Sequence, residues 1–172
     1  MVLWFVGMSG AGKTLLSSKV YEILKSKIPN LVLLDGDALR EVYQGDIDHS
    51  VEGRRVSHER FSRLSKMLAD QDIHVIGATL SIFHDLQEWN RENLKDYCQV
   101  YVKVPMEVLR KREIKGLYAG AFEGKIKNVV GVDIEFKDPI HNDLIIDNSK
   151  DMDNFDPYIE EILNLPQVKK LL

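Results

Sequence analysis

Short apolar runs alternate along the chain with longer stretches whose apolar residues recur at helical spacing. Val2-Leu3-Trp4-Phe5-Val6 is apolar at every position, the pattern of a strand covered on both faces, and it stops at Gly7. After Lys13, residues Leu16, Val20, Ile23 and Leu24 share one helical face. Leu31 to Leu34 predicts a second strand, ended by an Asp35-Gly36-Asp37 turn. Arg54 to Ala69 predicts a helix with Phe61, Leu64 and Leu68 as its inner stripe. Ile73 to Leu80 reads as a third strand, Leu86 to Tyr97 as a helix, and Val100 to Val104 as a fourth strand. Pro105 opens the next helix, where a missing N–H costs least. Leu144-Ile145-Ile146 predicts a fifth strand, and Tyr158 to Leu163 a final short helix.

Buried strands separated by helices imply an α/β fold, a parallel sheet of about five strands with helices on both faces. Ligands of such sheets bind at the carboxyl ends of the strands. One stretch breaks the pattern. From Ile114 to Phe136 there are six charged residues and four glycines with no clean period. A long irregular segment in a compact domain is commonly functional, and residues 114–136 are read as a lid over the site. No internal repeat or linker interrupts the chain, so residues 1–172 read as one domain.

Composition narrows the function classes. With 23 Lys and Arg against 27 Asp and Glu, the net charge is −4, which disfavours polynucleotide or membrane partners. No apolar run is long enough for a membrane span. The single cysteine, Cys98, fits a reducing, cytoplasmic setting and reads as a buried small hydrophobe. Charge is also unevenly placed. Lys103 to Lys127 carries seven Lys and Arg against three Glu, as suits a lid closing over anions, while Asp133 to Glu161 carries ten acids and two lysines.

The strongest chemistry-bearing motif is Gly7-Met8-Ser9-Gly10-Ala11-Gly12-Lys13-Thr14, which satisfies G-x-x-x-x-G-K-[ST] between a strand and a helix. The backbone of Gly7, Ser9, Gly10, Ala11 and Gly12 can turn its N–H groups onto phosphate oxygens at a helix N-terminus. Lys13 would reach the β- and γ-phosphates of ATP, and the Thr14 hydroxyl would help hold Mg²⁺. Asp35 and Asp37 fall at the end of the second strand, where one carboxylate can hold Mg²⁺ and the other can accept a proton from an attacking hydroxyl. Arg40, Arg54 and Arg60 follow, and arginine suits a second phosphate- or sulfate-bearing substrate. No Asn-Lys-x-Asp or Thr-Lys-x-Asp occurs, which argues against a GTPase and leaves a small-molecule kinase. The competing class is a non-catalytic nucleotide-binding regulatory module. Intact Lys13, Thr14, Asp35 and Asp37 weigh against it.

These residues resemble the adenylylsulfate (APS) kinase family. The P-loop and Leu34-Asp35-Gly36-Asp37-Ala38-Leu39-Arg40 are similar to its first two signatures. Lys115-Gly116-Leu117-Tyr118, Gly124-Lys125-Ile126-Lys127 and Gly131-Val132-Asp133 resemble its lid and following loop. The resemblance implies a P-loop core of nucleoside-monophosphate-kinase type. It implies transfer of the ATP γ-phosphate to a nucleotide ribose 3′-hydroxyl, with adenylylsulfate as the leading acceptor. It further implies that Arg40, Arg54 and Arg60 hold the acceptor, that Arg112 and Lys115 contact nucleotide or lid, and that Phe136 stacks on the acceptor's base. A homodimer is compatible with this reading.

The departures fall on the acceptor side. The family's Phe-Ile-Ser-Pro-Tyr-Arg segment stands here as Thr79-Leu80-Ser81-Ile82-Phe83-His84, and Ser57 replaces an asparagine after Arg54. Ser57, Thr79, Leu80 and Ser81 therefore join the expected acceptor set. Base stacking is worth ~1–3 kcal/mol, so threonine in place of the phenylalanine should weaken a purine pocket by about tenfold. The alternative acceptor is cytidine diphosphoramidate, phosphorylated at the same hydroxyl by a family relative on the route to a capsule modification. The five histidines show no metal spacing. His74 reads as structural, His84 as a neighbour of the acceptor pocket, and Trp4 and Trp89 as packing residues.

Overall fold

A computed structural model describes residues 1–112, 116–150 and 154–172. The central strand β1 (Val2–Val6) is wholly buried, and its side chains alternate between two cores. Leu3 and Phe5 join Leu16, Val20 and Leu24 of α1 (Lys13–Lys25). Val2, Trp4 and Val6 join Leu39 and Phe61 on the opposite face. The rest of the sheet is β2 (Leu31–Asp35), β3 (His74–Thr79), β4 (Tyr97–Lys103) and β5 (Leu144–Asp147). Its order is β2-β3-β1-β4-β5, and every pairing is parallel. The expected α/β sheet of five strands is therefore present.

The helices cover both faces, as a parallel sheet requires. Beneath the Trp4 face lie α2 (Gly36–Val42), α3 (Val51–Ala69) and α4 (His84–Asn93). On the Phe5 side are α1, α5 (Met106–Arg112), α6 (Leu117–Phe122), α7 (Asp156–Leu163) and α8 (Pro166–Lys169). No helix among the described residues is long and apolar enough to cross a membrane.

Several expectations are corrected. The Asp35-Gly36-Asp37 turn is the start of α2: Asp35 stays extended and its side chain accepts from the Asp37 N–H as the N-cap. The helix expected from Arg54 begins at Val51, because the Ser50 hydroxyl accepts from the Gly53 N–H. Its buried face is His58, Phe61, Ser62, Ser65 and Ala69, while Leu64 and Leu68 are half-buried at the margin. Tyr97 opens β4 instead of closing a helix, since Leu94 already turns extended after Asn93. Within the expected lid, residues 116–136 are described, and they are partly packed. Helix α6 buries Tyr118 and Ala121; Val129, Val130 and Ile134 are buried beyond it, and Val130 bridges Ile134.

Candidate active site

At the carboxyl ends of β1, β2 and β3 a cleft of about 430 Å³ opens. Gly7 lets the chain leave β1 there, because a Cβ at this position would stand 2.5 Å from the Val102 carbonyl oxygen. The loop folds back through Ala11 N–H donating to the Met8 carbonyl at 3.2 Å. It is fixed from outside by the Tyr118 hydroxyl on Ser9 O and by Asn148 Nδ2 on Ala11 O, both at 2.9 Å. Gly12 is the N-cap of α1 at φ 100, and a Cβ would come within 2.8 Å of Asn148 Nδ2. No side chain caps α1, so its first N–H groups and dipole are available to an anion.

Lys13 lies beneath this loop, and Nζ donates to Met8 O at 2.8 Å. Burial pushes its ammonium down to about 8, opposed by the nearby carboxylates of Asp37 and Asp35. The two acids occupy different positions. Both oxygens of Asp35 are engaged: Oδ1 accepts from the Asp37 N–H and Oδ2 from Thr14 Oγ1, each at 2.9 Å. Asp37 is exposed on the cleft wall, and its carboxylate takes no hydrogen bond among the described residues.

Arg40 and Arg54 face the cleft from the other side. Neither forms an ion pair among the described residues. Arg40 donates to the carbonyls of Ile47 and Asp48, and Arg54 to those of His49 and Asn128, the latter at 2.9 Å. Burial and the charge of Arg40 pull the Arg54 guanidinium below its usual range, against the pull of Asp133 and Asp37. Two positive groups held by carbonyl dipoles keep their charge uncompensated, which suits a bound anion.

Among the other expected site residues, Ser9, Gly10, Gly12, Thr14, Ser57, Thr79 and Leu80 line the cleft. Ala11 is buried behind the loop. Several do not join them. Arg60 pairs with Asp46 at 2.8 and 3.0 Å on the surface and lies over the Tyr43 ring. Ser81 is fully buried, its hydroxyl shared between Gln87 and His58. Phe136 packs near Tyr101, outside the cleft lining, and His84 meets the Asp138 carbonyl. Arg112 donates to the carbonyls of Asn148 and Lys150, bracing the segment that holds Ala11. Lys115 lies outside the described residues. His74 meets the Met1 amine at 2.9 Å, and Trp4 is buried in the core; Trp89 packs under Arg63. Cys98 is buried and its thiol is pushed up to about 12, as a packing residue should be.

The cleft also takes residues to which the sequence assigned no place in the site. His49 precedes the α3 cap, and burial lowers its pKa. His58 lines the wall from α3, while Leu117, Ile126, Lys127 and Asn128 come from the expected lid. The polar residue in an otherwise packed helical stripe was the signal for His58. Asn148 carried none, since its role depends on the fold bringing the residue just after β5 within reach of Ala11 O.

Thr14 and Asp35 present oxygen ligands beside the phosphate cradle, a donor set that fits Mg²⁺, which keeps several waters and substrate oxygens. Among the described residues no group of three or more His, Cys, Asp or Glu could hold a metal ion unaided.

A parallel sheet with a glycine-rich strand-to-helix loop, a half-buried lysine and a facing carboxylate define a P-loop kinase. The comparisons make this specific. The family model described as adenylylsulphate kinase matches residues 1–147, and the chain belongs to that family. It is an ATP-dependent nucleotide kinase, a phosphotransferase with an alcohol group as acceptor. Over 148 residues it is 42% identical to a cytidine diphosphoramidate kinase of Campylobacter jejuni, covering 86% of each chain. It is 33% identical to an adenylyl-sulfate kinase of Halothermothrix orenii over 97% of this chain and 94% of the relative. The APS kinase of Mycobacterium tuberculosis in complex with AMPPNP and APS superposes with a TM-score of 0.84 at 27% identity, covering 95% of both chains.

Proposed function

We propose that the cleft transfers the γ-phosphate of ATP to the ribose 3′-hydroxyl of a cytidine nucleotide with an anionic 5′ group, cytidine diphosphoramidate being the leading acceptor. The observation that carries the transfer is the exposed, unpartnered Asp37 carboxylate between the P-loop and the Arg40–Arg54 pair. The preference for cytidine over the adenylylsulfate expected from the sequence rests on two supports. The relative acting on cytidine diphosphoramidate shares 42% of aligned residues, against 33% for the adenylyl-sulfate kinase. Thr79, a small hydroxyl, also lines the cleft where the family resemblance implies a stacking phenylalanine.

The P-loop N–H groups and Lys13 bind the ATP phosphates and offset charge that grows on them during transfer. Thr14 and Asp35 would hold Mg²⁺, which supplies further charge neutralisation on the β- and γ-phosphoryl oxygens. Asp35, already tied to Thr14, is the metal-side carboxylate. Asp37 orients the 3′-hydroxyl and takes its proton as the oxygen attacks phosphorus in line, and the bond to the ADP oxygen breaks. Arg40 and Arg54 hold the acceptor's anionic 5′ group, with Ser57, Thr79 and Leu80 along its nucleoside. Leu117 and residues 126–130 border the cleft and exclude water, which would otherwise hydrolyse ATP.

The test is ADP release with ATP and Mg²⁺, with and without cytidine diphosphoramidate or adenylylsulfate, followed by phosphorus NMR of the product. Acceptor-dependent release and a new 3′-phosphomonoester are expected. ADP release indifferent to any nucleotide acceptor would contradict the proposal and favour a binding module.

A further inference from the structure

Two side chains from distant parts of the chain grip the backbone of the phosphate-binding loop. Tyr118, on α6, is 2% exposed, and its hydroxyl donates to Ser9 O at 2.9 Å. Asn148, just past β5, is 5% exposed, and its Nδ2 donates to Ala11 O at 2.9 Å. That partner is a carbonyl, which only accepts, so the amide nitrogen is the end that faces it. Asn148 is itself anchored. Its N–H donates to Lys103 O at 3.0 Å, and its carbonyl accepts from Arg112 Nη1.

The two held carbonyls alternate along the loop, and peptide geometry gives the alternation a consequence. No peptide bond is cis among the described residues, so each carbonyl and the next residue's N–H point to opposite sides of one rigid plane. Holding Ser9 O therefore turns the Gly10 N–H away from Tyr118, and holding Ala11 O turns the Gly12 N–H away from Asn148. Both glycines line the cleft, and neither N–H takes a hydrogen bond among the described residues. Gly10 and Gly12 have φ of 75° and 100°, a region that glycine enters and leaves at little cost. The loop's own residues thus leave these planes free to turn, and the two side chains supply the missing constraint. N–H groups that already converge need no reorganisation when an anion arrives.

We infer that Tyr118 and Asn148 are positioning residues for ATP: by holding the Ser9 and Ala11 carbonyls they set the Gly10 and Gly12 N–H groups for the phosphate oxygens before nucleotide binds. The inference rests on the reading of this loop as the ATP phosphate cradle. It gives the expected lid a second task, since α6 steadies the cradle at Ser9 while its first residue, Leu117, borders the cleft.

Steady-state kinetics of Tyr118→Phe and Asn148→Leu test this, with the acceptor the unaltered enzyme uses and pyrophosphate as a competitor of ATP. Each substitution removes one donor and keeps most of the side-chain volume. Each is expected to raise the ATP KM and the pyrophosphate Ki by the same factor, about fivefold for one hydrogen bond, with the acceptor KM unchanged. Tyr97→Phe is the control. It also loses a buried hydroxyl, one that donates to Gln99 Oε1 at 2.8 Å, but at the opposite end of the sheet. It is expected to lower the melting temperature and leave both constants as they were. An unchanged ATP KM in either loop variant overturns the role of that residue. An acceptor KM that rises in step with the ATP KM overturns the inference, as does an equal rise of the ATP KM in Tyr97→Phe. Should Asn148→Leu fail to fold, Tyr118→Phe, which keeps the ring, decides alone. Failure of pyrophosphate to compete with ATP on the unaltered enzyme is seen before a variant is made, and it overturns the reading of the cradle together with the inference.

Discussion

Asp35 and Asp37 are the same residue type two positions apart, and their surroundings give them different chemistry. Asp35 spends one oxygen capping α2 and the other on Thr14, while Asp37 projects from the first turn of the same helix into the cleft. A carboxylate with both oxygens engaged is suited to holding a ligand in place; one without partners is free to take a proton. Asp37→Asn keeps the shape and removes the basicity. Steady-state assays should find kcat lower by about 10²–10⁴ with the ATP KM little changed. Lys13 gives a second prediction. Its charged form is the one that binds phosphate, and burial places its pKa at about 8 in the free protein. The kcat/KM for ATP should therefore fall as pH rises through about 8, since this ratio reports free-enzyme ionisations. A flat profile to pH 9.5 would contradict it. None of this division between the acids was visible in Asp-Gly-Asp as letters, because it depends on where β1 and β2 set Thr14 relative to the turn.

At the scale of elements, the five strands were legible as short apolar runs: burial on both faces makes β1 apolar at every position, and the edge strands β2 and β5 keep short apolar runs although they are only partly buried. The long helices were legible for the same reason in their own period. Helices α2, α6 and α8 were not, being seven, six and four residues long, too short for a period to declare itself. The start of α3 was missed although its signal was present: Ser50 stands three residues before Gly53 and caps its N–H at 3.0 Å. Asp48 accepts from both the N–H and the hydroxyl of Ser50, and Arg40 donates to the Asp48 carbonyl, so this cap also sets the arginine wall. Ser50→Ala should cost ~1 kcal/mol of stability. Denaturant titration measures that, and binding of the anionic acceptor should weaken in parallel.

Across the whole molecule, the net charge of −4 conceals a basic stretch from Lys103 to Lys127, part of which borders the cleft. The average charge says more about polynucleotides, which need an extended basic face, than about a nucleotide held by a few groups. The P-loop side of the cleft is contiguous in sequence, so its lining residues Ser9, Gly10, Gly12, Lys13 and Thr14 could be named from one motif. The opposite wall is assembled from α2, α3, the end of β3 and residues 117–130, and Arg60, Ser81 and Phe136 are not among the residues that line it. Contacts made by folding, not by spacing, decide that wall: Arg60 met Asp46, and Ser81 was buried against His58. The acceptor's identity is accordingly the claim most exposed to test. The direct measurement is the ratio of kcat/KM for cytidine diphosphoramidate to that for adenylylsulfate, at saturating ATP and Mg²⁺. The account predicts a ratio above one by about tenfold or more, the worth of the stacking platform absent at Thr79. A ratio below one would contradict it and return adenylylsulfate as the acceptor.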